Sequence, residues 1–156
     1  MEYILSKAII KKIPKFKAFE IINHLTLFDE LSPEEKRLIS DNPNLFYFIP
    51  KDNVFINEGE LDSCFYLLLS GKAQVAQNRI EFDQLSAGDV VGVTGFVRDL
   101  PRTGSVVALS DILALKFSRF QFKKLPANVR ELIKDHMMQE LISRIDRLNN
   151  QFHNAK

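Results

Sequence analysis

The residues best suited to chemistry lie in one stretch, from Gly88 to Val106. Arg102 carries a planar fork of donors that stays charged and matches the oxygens of a phosphate group. Pro101 fixes the backbone just before this arginine, while Gly92 and Gly95 provide backbone that a ligand can approach closely. Amides at the turn before a short helix add further donors. The stretch therefore predicts a binding site for an anion.

The same stretch resembles a known motif. Four of its residues fall at the spacing of the phosphate-binding cassette of cyclic nucleotide-binding domains, namely Gly92, Pro101, Arg102 and Thr103. This family includes the catabolite activator protein and the regulatory subunits of cyclic-AMP-dependent kinase. Its cassette reads Phe-Gly-Glu-x-Ala-Leu, followed after four residues by Pro-Arg and two small residues. The other aligned positions depart from that pattern, with Val91 for the aromatic, Val93 for the glutamate, Gly95 for the alanine and Phe96 for the leucine.

The departure at Val93 bears most directly on ligand affinity. In the family, the glutamate accepts a hydrogen bond from the ribose 2′-hydroxyl, which a valine cannot do. A hydrogen bond to a charged group is worth about 1.5–3 kcal/mol, and about 1.4 kcal/mol corresponds to a tenfold change in affinity. The cassette is therefore degenerate, and we expect weaker nucleotide binding by about one to two decades rather than its loss.

The resemblance implies a role for each candidate site residue. Arg102 and the Thr103 amide would hold the cyclic phosphate of cyclic AMP or cyclic GMP, with the Thr103 hydroxyl near the phosphate or the purine. The backbone of Gly92 and Val93 would face the ribose. Walls for the base would come from residues of the C-terminal helix and from Leu69, Gly71 and Val91. A structural alternative for Arg102 is a salt bridge to a nearby carboxylate such as Asp99.

Short apolar runs separated by turn residues extend from Phe46 to Phe117 and predict an all-β roll or barrel. The predicted strands are Phe46–Ile49, Val54–Ile56, Cys64–Ser70, Lys72–Ala76, Arg79–Leu85, Val90–Val91, Ser105–Ala108 and Leu113–Phe117. Further family landmarks occur in order, including Phe65-Tyr66, Ser70-Gly71 and Gly88-Asp89. The expected fold class is α+β, a jelly-roll-like β-roll (double-stranded β-helix) flanked by N-terminal helices and a long C-terminal helix.

The first part of the chain is predicted to be helical. Apolar spacing indicates a helix over residues 3–25, kinked or divided at Pro14. Its other face is basic, through Lys7, Lys11, Lys12, Lys15 and Lys17. This face is either solvated or a contact for an acidic protein partner, a membrane surface or nucleic acid. A capping box at Ser32 and Glu35 predicts a second helix from Pro33 to Ser40. We divide the chain into a basic helical segment, 1–26, and a cyclic nucleotide-binding-like domain, 27–156.

A long helix is predicted from about Asn128 to Asn150, after Pro126. It carries two apolar stripes. Coiled-coil spacing relates Met138, Leu141, Ile145, Leu148 and Phe152, which predicts a homodimer through this helix. The second stripe, suited to packing on the roll, consists of Val129, Leu132, Ile133 and Met137.

Composition and motifs exclude several classes. The 156 residues carry a net charge of +1, and Cys64 is the sole cysteine, so no internal disulfide can form. No secretory signal or run of about 18 apolar residues is present, which favours a cytoplasmic protein without a transmembrane segment. His24, His136 and His153 lack acidic partners at metal-binding spacing, and no catalytic constellation is found. With Lys156 as the last residue, no helix-turn-helix follows the long helix, so we expect no direct DNA binding.

The sequence thus favours a non-catalytic cyclic nucleotide sensor or regulatory module, without a cofactor or a metal. The alternative is a domain that retains the fold without binding a nucleotide and serves as a protein-interaction or assembly module. A different anionic ligand is a third possibility. Retention of Arg102 favours a ligand, whereas the valine at position 93 favours the second hypothesis.

Overall fold

Capping interactions define the helices that precede the roll. The computed structural model describes residues 15–154, in which α1 spans Lys15–His24, a 3-10 turn spans Thr26–Phe28 and α2 spans Pro33–Ser40. The Glu35 amide donates to the Ser32 hydroxyl at 3.2 Å, and the Ser32 amide donates to the Glu35 carboxylate at 2.9 Å. This reciprocal pair satisfies two backbone donors that the first turn of a helix leaves free. The capping box and the predicted bounds of α2 are confirmed.

Of the basic N-terminal segment, the structure describes only the last part. The helix predicted over residues 3–25 is represented by α1, and the kink at Pro14 lies outside the described residues, as do Lys7, Lys11 and Lys12. Ala18 and Ile22 of α1 are buried in the same apolar cluster as Phe28. The domain boundary at residue 26 stays a prediction.

Within residues 15–154, eight strands form two four-stranded antiparallel sheets. The strands are β1 Phe46–Ile49, β2 Val54–Ile56, β3 Phe65–Ser70, β4 Ala73–Gln77, β5 Ile80–Leu85, β6 Val90–Val91, β7 Ser105–Ala108 and β8 Ile112–Phe117. The first sheet has the order β1-β8-β3-β6 and the second has the order β2-β7-β4-β5. These bounds differ from the predicted ones by one residue at most. The predicted α+β class and β-roll architecture are confirmed.

Strand β3 separates two apolar clusters because alternate side chains of a strand point to opposite faces. Tyr66 and Leu68 face the interior of the roll, where they pack with Val91 and Val106. The helix-side cluster, formed between the first sheet and the helices, contains Phe65, Leu67, Leu69, Phe117, Val129 and Ile133. Burial on both faces accounts for the continuous apolar run of this strand.

Short helices frame the cassette. The helix α3 spans Val93–Arg98, and α4 spans Arg119–Lys123 behind a second capping box at Ser118. Four phenylalanines connect these helices with the first sheet: Phe65, Phe96, Phe117 and Phe122. The Phe96 ring contacts the Phe65 ring edge-on at 4.8 Å between centroids and the Phe122 ring at 5.4 Å. This phenylalanine cluster fixes α3 against β3 and α4.

The long helix α5 spans Ala127–Asn154. As predicted, Val129, Ile133 and Met137 are buried, and Leu132 packs against their cluster. Exposed apolar residues of α5 are Met138, Ile142, Ile145, Leu148 and Phe152, which we term the exposed row. Leu141, assigned from the sequence to this row, instead packs against the helix-side cluster, and Ile142 takes its place. No helix within residues 15–154 is long and apolar enough to cross a membrane.

Two isoleucines of α5 provide a matched test of this packing. Ile133 is fully buried, whereas Ile142 is 58% exposed. Ile133→Ala should lower the free energy of unfolding by about 2–5 kcal/mol, because it removes buried methyl groups and leaves a cavity. Ile142→Ala should change it by about 0.5 kcal/mol or less. Urea denaturation followed by circular dichroism measures both values, and equal effects would contradict the orientation of α5.

Candidate anion-binding site

The backbone around the cassette turns sharply at two positions. Gly92, which follows β6, has φ +87°, a left-handed conformation that glycine adopts without strain. Helix α3 begins at the next residue and ends before Asp99, which is also left-handed, with φ +56°. The chain then returns through Pro101 and Arg102 to β7. These turns place both ends of the cassette beside the same space.

A pocket of about 200 Å³ lies between the cassette, the second sheet and α5. Five of the predicted site residues line it: Val91, Gly92, Val93, Arg102 and Thr103. The other two are elsewhere. Leu69 packs in the helix-side cluster, and Gly71 lies at the turn between β3 and β4.

The pocket also contains residues that the sequence argument did not assign to it. Leu141 and Arg144 enter from α5, consistent with the general expectation of walls from this helix. Gln77 comes from β4, and Phe82 and Asp83 come from β5. Their position depends on how the second sheet pairs, which no local signal in the sequence reveals.

Arg102 is buried beneath the cassette. Its Nη1 donates to the Gly92 carbonyl at 2.6 Å, and its Nη2 donates to the Cys64 carbonyl. The same Nη2 lies 3.5 Å from a carboxylate oxygen of Asp62, while only 4% of the Arg102 side chain is exposed. The structural alternative from the sequence, a salt bridge between Arg102 and a carboxylate, is thus present, but its partner is Asp62. Asp99, the example named from the sequence, lies 3.9 Å from Arg119 instead.

The backbone of Arg102 joins the same two segments as its side chain. Its amide donates to the Glu60 carbonyl at 2.8 Å, and its carbonyl accepts from the Gly59 amide at 2.8 Å. Arg102 therefore connects the cassette with the loop before β3 through three hydrogen bonds and one ion pair, and its fourth hydrogen bond joins the two ends of the cassette.

Asp62 shapes the electrostatics of this region. One of its oxygens accepts from the Cys64 amide at 3.0 Å, and the other faces Arg102. Burial raises the pKa of the Cys64 thiol, and the charge of Asp62 raises it further. Burial and Asp62 also raise the pKa of the Tyr66 hydroxyl. Both groups are therefore neutral at physiological pH.

A second cavity of about 280 Å³ lies on the other side of Asp62. Its aromatic lining includes Tyr47, Phe55 and Tyr66. The Lys116 ammonium lies over the rings of Tyr47 and Tyr66, 4.8 and 5.5 Å from their centroids. A cation of the chain itself thus lies where these aromatic faces would receive a positive ligand.

Polar contacts hold α5 against the edge of the pocket. The His136 Nε2 lies 2.6 Å from the Gly88 carbonyl, and Arg144 donates from Nη2 to the Val90 carbonyl. Arg144 and Arg147 each lie 3.5 Å from the Asp83 carboxylate. These contacts fix the part of α5 that contributes Leu141 and Arg144 to the pocket.

A carboxyl pair adds a titratable contact. Burial raises the pKa of Glu140, and a hydrogen bond with Asp89 together with the charge of Asp89 raises it further, against the smaller lowering effects of His136 and Arg144. An acid whose pKa is raised on folding binds its proton more tightly in the folded state. Its stabilising contribution is therefore complete at low pH and is lost as the pH rises through the folded-state pKa.

Glu140→Gln should remove this loss, because glutamine can keep a hydrogen bond with Asp89 without ionising. We expect the unfolding free energy of the variant, relative to the native chain, to rise as the pH increases above the ordinary range of a glutamate, and to level off once Glu140 is ionised in the folded state. Urea titrations across these pH values measure the difference. Glu131→Gln, on an exposed position of the same helix, is the control and should show no such rise. An identical profile for both variants would contradict the carboxyl pair.

The chain is similar to known proteins in sequence and in fold. The family model described as "Cyclic nucleotide-binding domain" matches residues 47–128, more than half of the chain. A cAMP-dependent protein kinase regulatory subunit from Aspergillus niger is 29% identical over 133 residues, which cover 84% of this chain and 32% of that protein. The chain thus spans only about a third of that relative.

Two solved structures share the fold. A cyclic nucleotide-binding domain from Methylobacillus flagellatus superposes with a TM-score of 0.70 at 23% identity, covering 91% of this chain and 84% of its own. The regulatory domain of Toxoplasma gondii PKA, crystallised with cAMP, gives a TM-score of 0.62 at 20% identity, covering 85% and 52% respectively. These structural similarities establish the fold, and the match to the family model establishes the family. The chain belongs to the cyclic nucleotide-binding domain family.

Proposed function

We propose that this chain is a non-catalytic sensor or regulatory module that binds a cyclic nucleotide in the pocket between the cassette and α5. The observation that carries the proposal is the position of Arg102, a buried cation at the wall of a pocket that the long helix α5 closes on one side. The relative from Aspergillus niger is named as a regulatory subunit, and the Toxoplasma gondii domain was crystallised with cAMP. Both support a regulatory role.

The pocket suggests how the ligand would be divided among its walls. Arg102 and Thr103 would face the cyclic phosphate, and the backbone of Gly92 and Val93 would face the ribose. Val91 is the predicted base contact that lines the pocket, and Leu141 of α5 adds a second apolar surface.

One observation favours the alternative, an assembly module that binds no nucleotide. Val93 is only 8% exposed and belongs to the helix-side cluster. An apolar group therefore occupies the position from which the family glutamate reaches the ribose. This replacement is compatible with weak binding as well as with none, so the two hypotheses are separated by affinity.

Calorimetric titration of the purified chain with cyclic AMP and cyclic GMP tests the proposal. We expect binding with a dissociation constant below the millimolar range. Arg102→Lys should weaken it by about tenfold or more, because lysine keeps the charge and loses the planar fork. Arg119→Lys, on a side chain 42% exposed and paired with Asp99, is the control. No binding of either nucleotide at millimolar concentration would contradict the sensor function and favour the assembly module.

Val93→Glu supplies a further arm of the same titration. The new carboxylate would accept a hydrogen bond from the ribose 2′-hydroxyl, which valine cannot do. Affinity for the nucleotide should therefore increase by about 10-fold to 100-fold. Val97→Glu places the same group on α3, one turn later and 66% exposed, and should have no effect. Unchanged affinity of a folded Val93→Glu chain would show that the pocket departs from the family at more than this residue.

We also propose a homodimer through α5. The exposed row places Met138, Ile142, Ile145, Leu148 and Phe152 on one side of the helix, away from the domain. Pairing two such helices across a two-fold axis would bury both rows. Burial of apolar surface contributes a favourable free energy of about 25 cal/mol per Å², from which the cost of association is subtracted. The basic N-terminal face remains a predicted contact for a protein partner.

Sedimentation velocity at micromolar concentration tests the dimer. The native chain should sediment as a dimer, and Ile142→Lys with Ile145→Lys should shift it to a monomer, because two charges would enter the apolar interface. Gln139→Lys with Ser143→Lys adds the same charge to exposed positions on another side of α5 and should leave the dimer intact. A monomeric native chain, or an unchanged dimer in the first variant, would contradict the proposal.

A further inference from the structure

The Arg102 guanidinium is directed toward protein oxygens. Its two terminal nitrogens donate to the carbonyls of Gly92 and Cys64, with Asp62 at 3.5 Å. The remaining nitrogen, Nε, is sealed from solvent and has no hydrogen-bond partner among the residues that the structure describes. This arrangement is termed the withdrawn position of Arg102. A phosphate group could not receive the full donor fork without movement of the side chain.

Gly95 provides the space for the withdrawn position. A methyl group added to Gly95 would lie 2.5 Å from Nη1 of Arg102 and 3.0 Å from its Cζ. Gly95 lies inside α3, where glycine is about 1 kcal/mol less favourable than alanine, and its φ is not in the left-handed range. Backbone conformation therefore does not require glycine at this position. The space taken by the Arg102 guanidinium and by the Asp62 carbonyl does.

We propose that Gly95 sets the ligand affinity of the pocket by allowing Arg102 to withdraw. This inference rests on the proposed function, since it concerns the same cyclic nucleotide. The phosphate must compete with Asp62 and two carbonyls for the guanidinium. If only a fraction of molecules present Arg102 to the pocket, the apparent dissociation constant is the intrinsic one divided by that fraction. A side chain at position 95 would leave less room for Arg102 in the withdrawn position. It would therefore raise the fraction of molecules that present Arg102 to the pocket.

Gly95→Ala tests the proposal by calorimetry with cyclic AMP. We expect the affinity to increase by about tenfold. Val97→Ala is the matched control, because Val97 lies in the same helix, is 66% exposed and does not line the pocket, and its change to alanine also alters helix propensity. An affinity equal to or below that of the native chain would overturn the role of Gly95, while binding by the native chain would leave the proposed function standing.

A second variant acts on the charge rather than on the space. The methyl group of Gly95→Ala would also lie 2.7 Å from the Asp62 carbonyl, so the variant can shift the backbone. Asp62→Asn keeps an oxygen for the Cys64 amide and removes the charge that faces Arg102. It should increase affinity by about threefold, whereas Asp99→Asn, at the exposed pair with Arg119, should not. Weaker binding by Asp62→Asn would show that Asp62 orients Arg102 toward the ligand, which overturns the proposal.

A measurement without ligand separates the two levels of inference. Hydrogen exchange of the Arg102 Nε–H, followed by nuclear magnetic resonance and assigned by its loss in Arg102→Lys, should be slow in the native chain and faster in Gly95→Ala. Fast exchange in the native chain would overturn the withdrawn position. Exchange that is slow in the native chain and faster in Gly95→Ala would support the withdrawn position. If neither of these two chains bound a cyclic nucleotide, the result would contradict the proposed function instead.

Discussion

The buried charge of Arg102 is the constraint on which the cassette depends. A guanidinium removed from water must be surrounded by acceptors, or its desolvation would cost several kcal/mol. Here two carbonyls and the Asp62 carboxylate come from opposite sides, and the Arg102 backbone pairs with Gly59 and Glu60. The loop before β3 and the cassette cannot separate without exposing unpaired polar groups. The shape of the pocket wall therefore follows from the burial of one side chain.

Local signals predicted most of the fold. Capping boxes at Ser32 and Ser118 are complete within four residues, and the strand runs are bounded by turn residues, so both can be identified without tertiary information. The partner of Arg102 could not be identified in this way. Asp62 is distant in sequence from Arg102, and Asp99 is closer along the chain, yet the antiparallel pairing of the sheets brings only Asp62 to the guanidinium.

The two site residues that lie outside the pocket show another limit. Both faces of β3 are buried, so its sequence contains no polar alternation to indicate which side chains enter the roll. Leu69 alternates with Phe65 and Leu67 along the strand, so its side chain lies on the same face as theirs and packs against the helices. A similar ambiguity affects Leu141, because α5 carries apolar residues on two sides and the spacing fits either stripe. Packing against the domain decides which residues are exposed.

The phenylalanine cluster has a consequence for how the cassette responds to force. A six-residue helix such as α3 is too short to be stable alone. It is stabilised by packing, because the Phe96 ring lies between the rings of Phe65 and Phe122. Arg119 of α4 also donates to the Phe96 carbonyl at 3.0 Å. Displacement of α3 would therefore carry α4 with it, and α4 leads directly into α5. The cassette and the N-terminal end of the long helix are therefore mechanically coupled through the phenylalanine cluster.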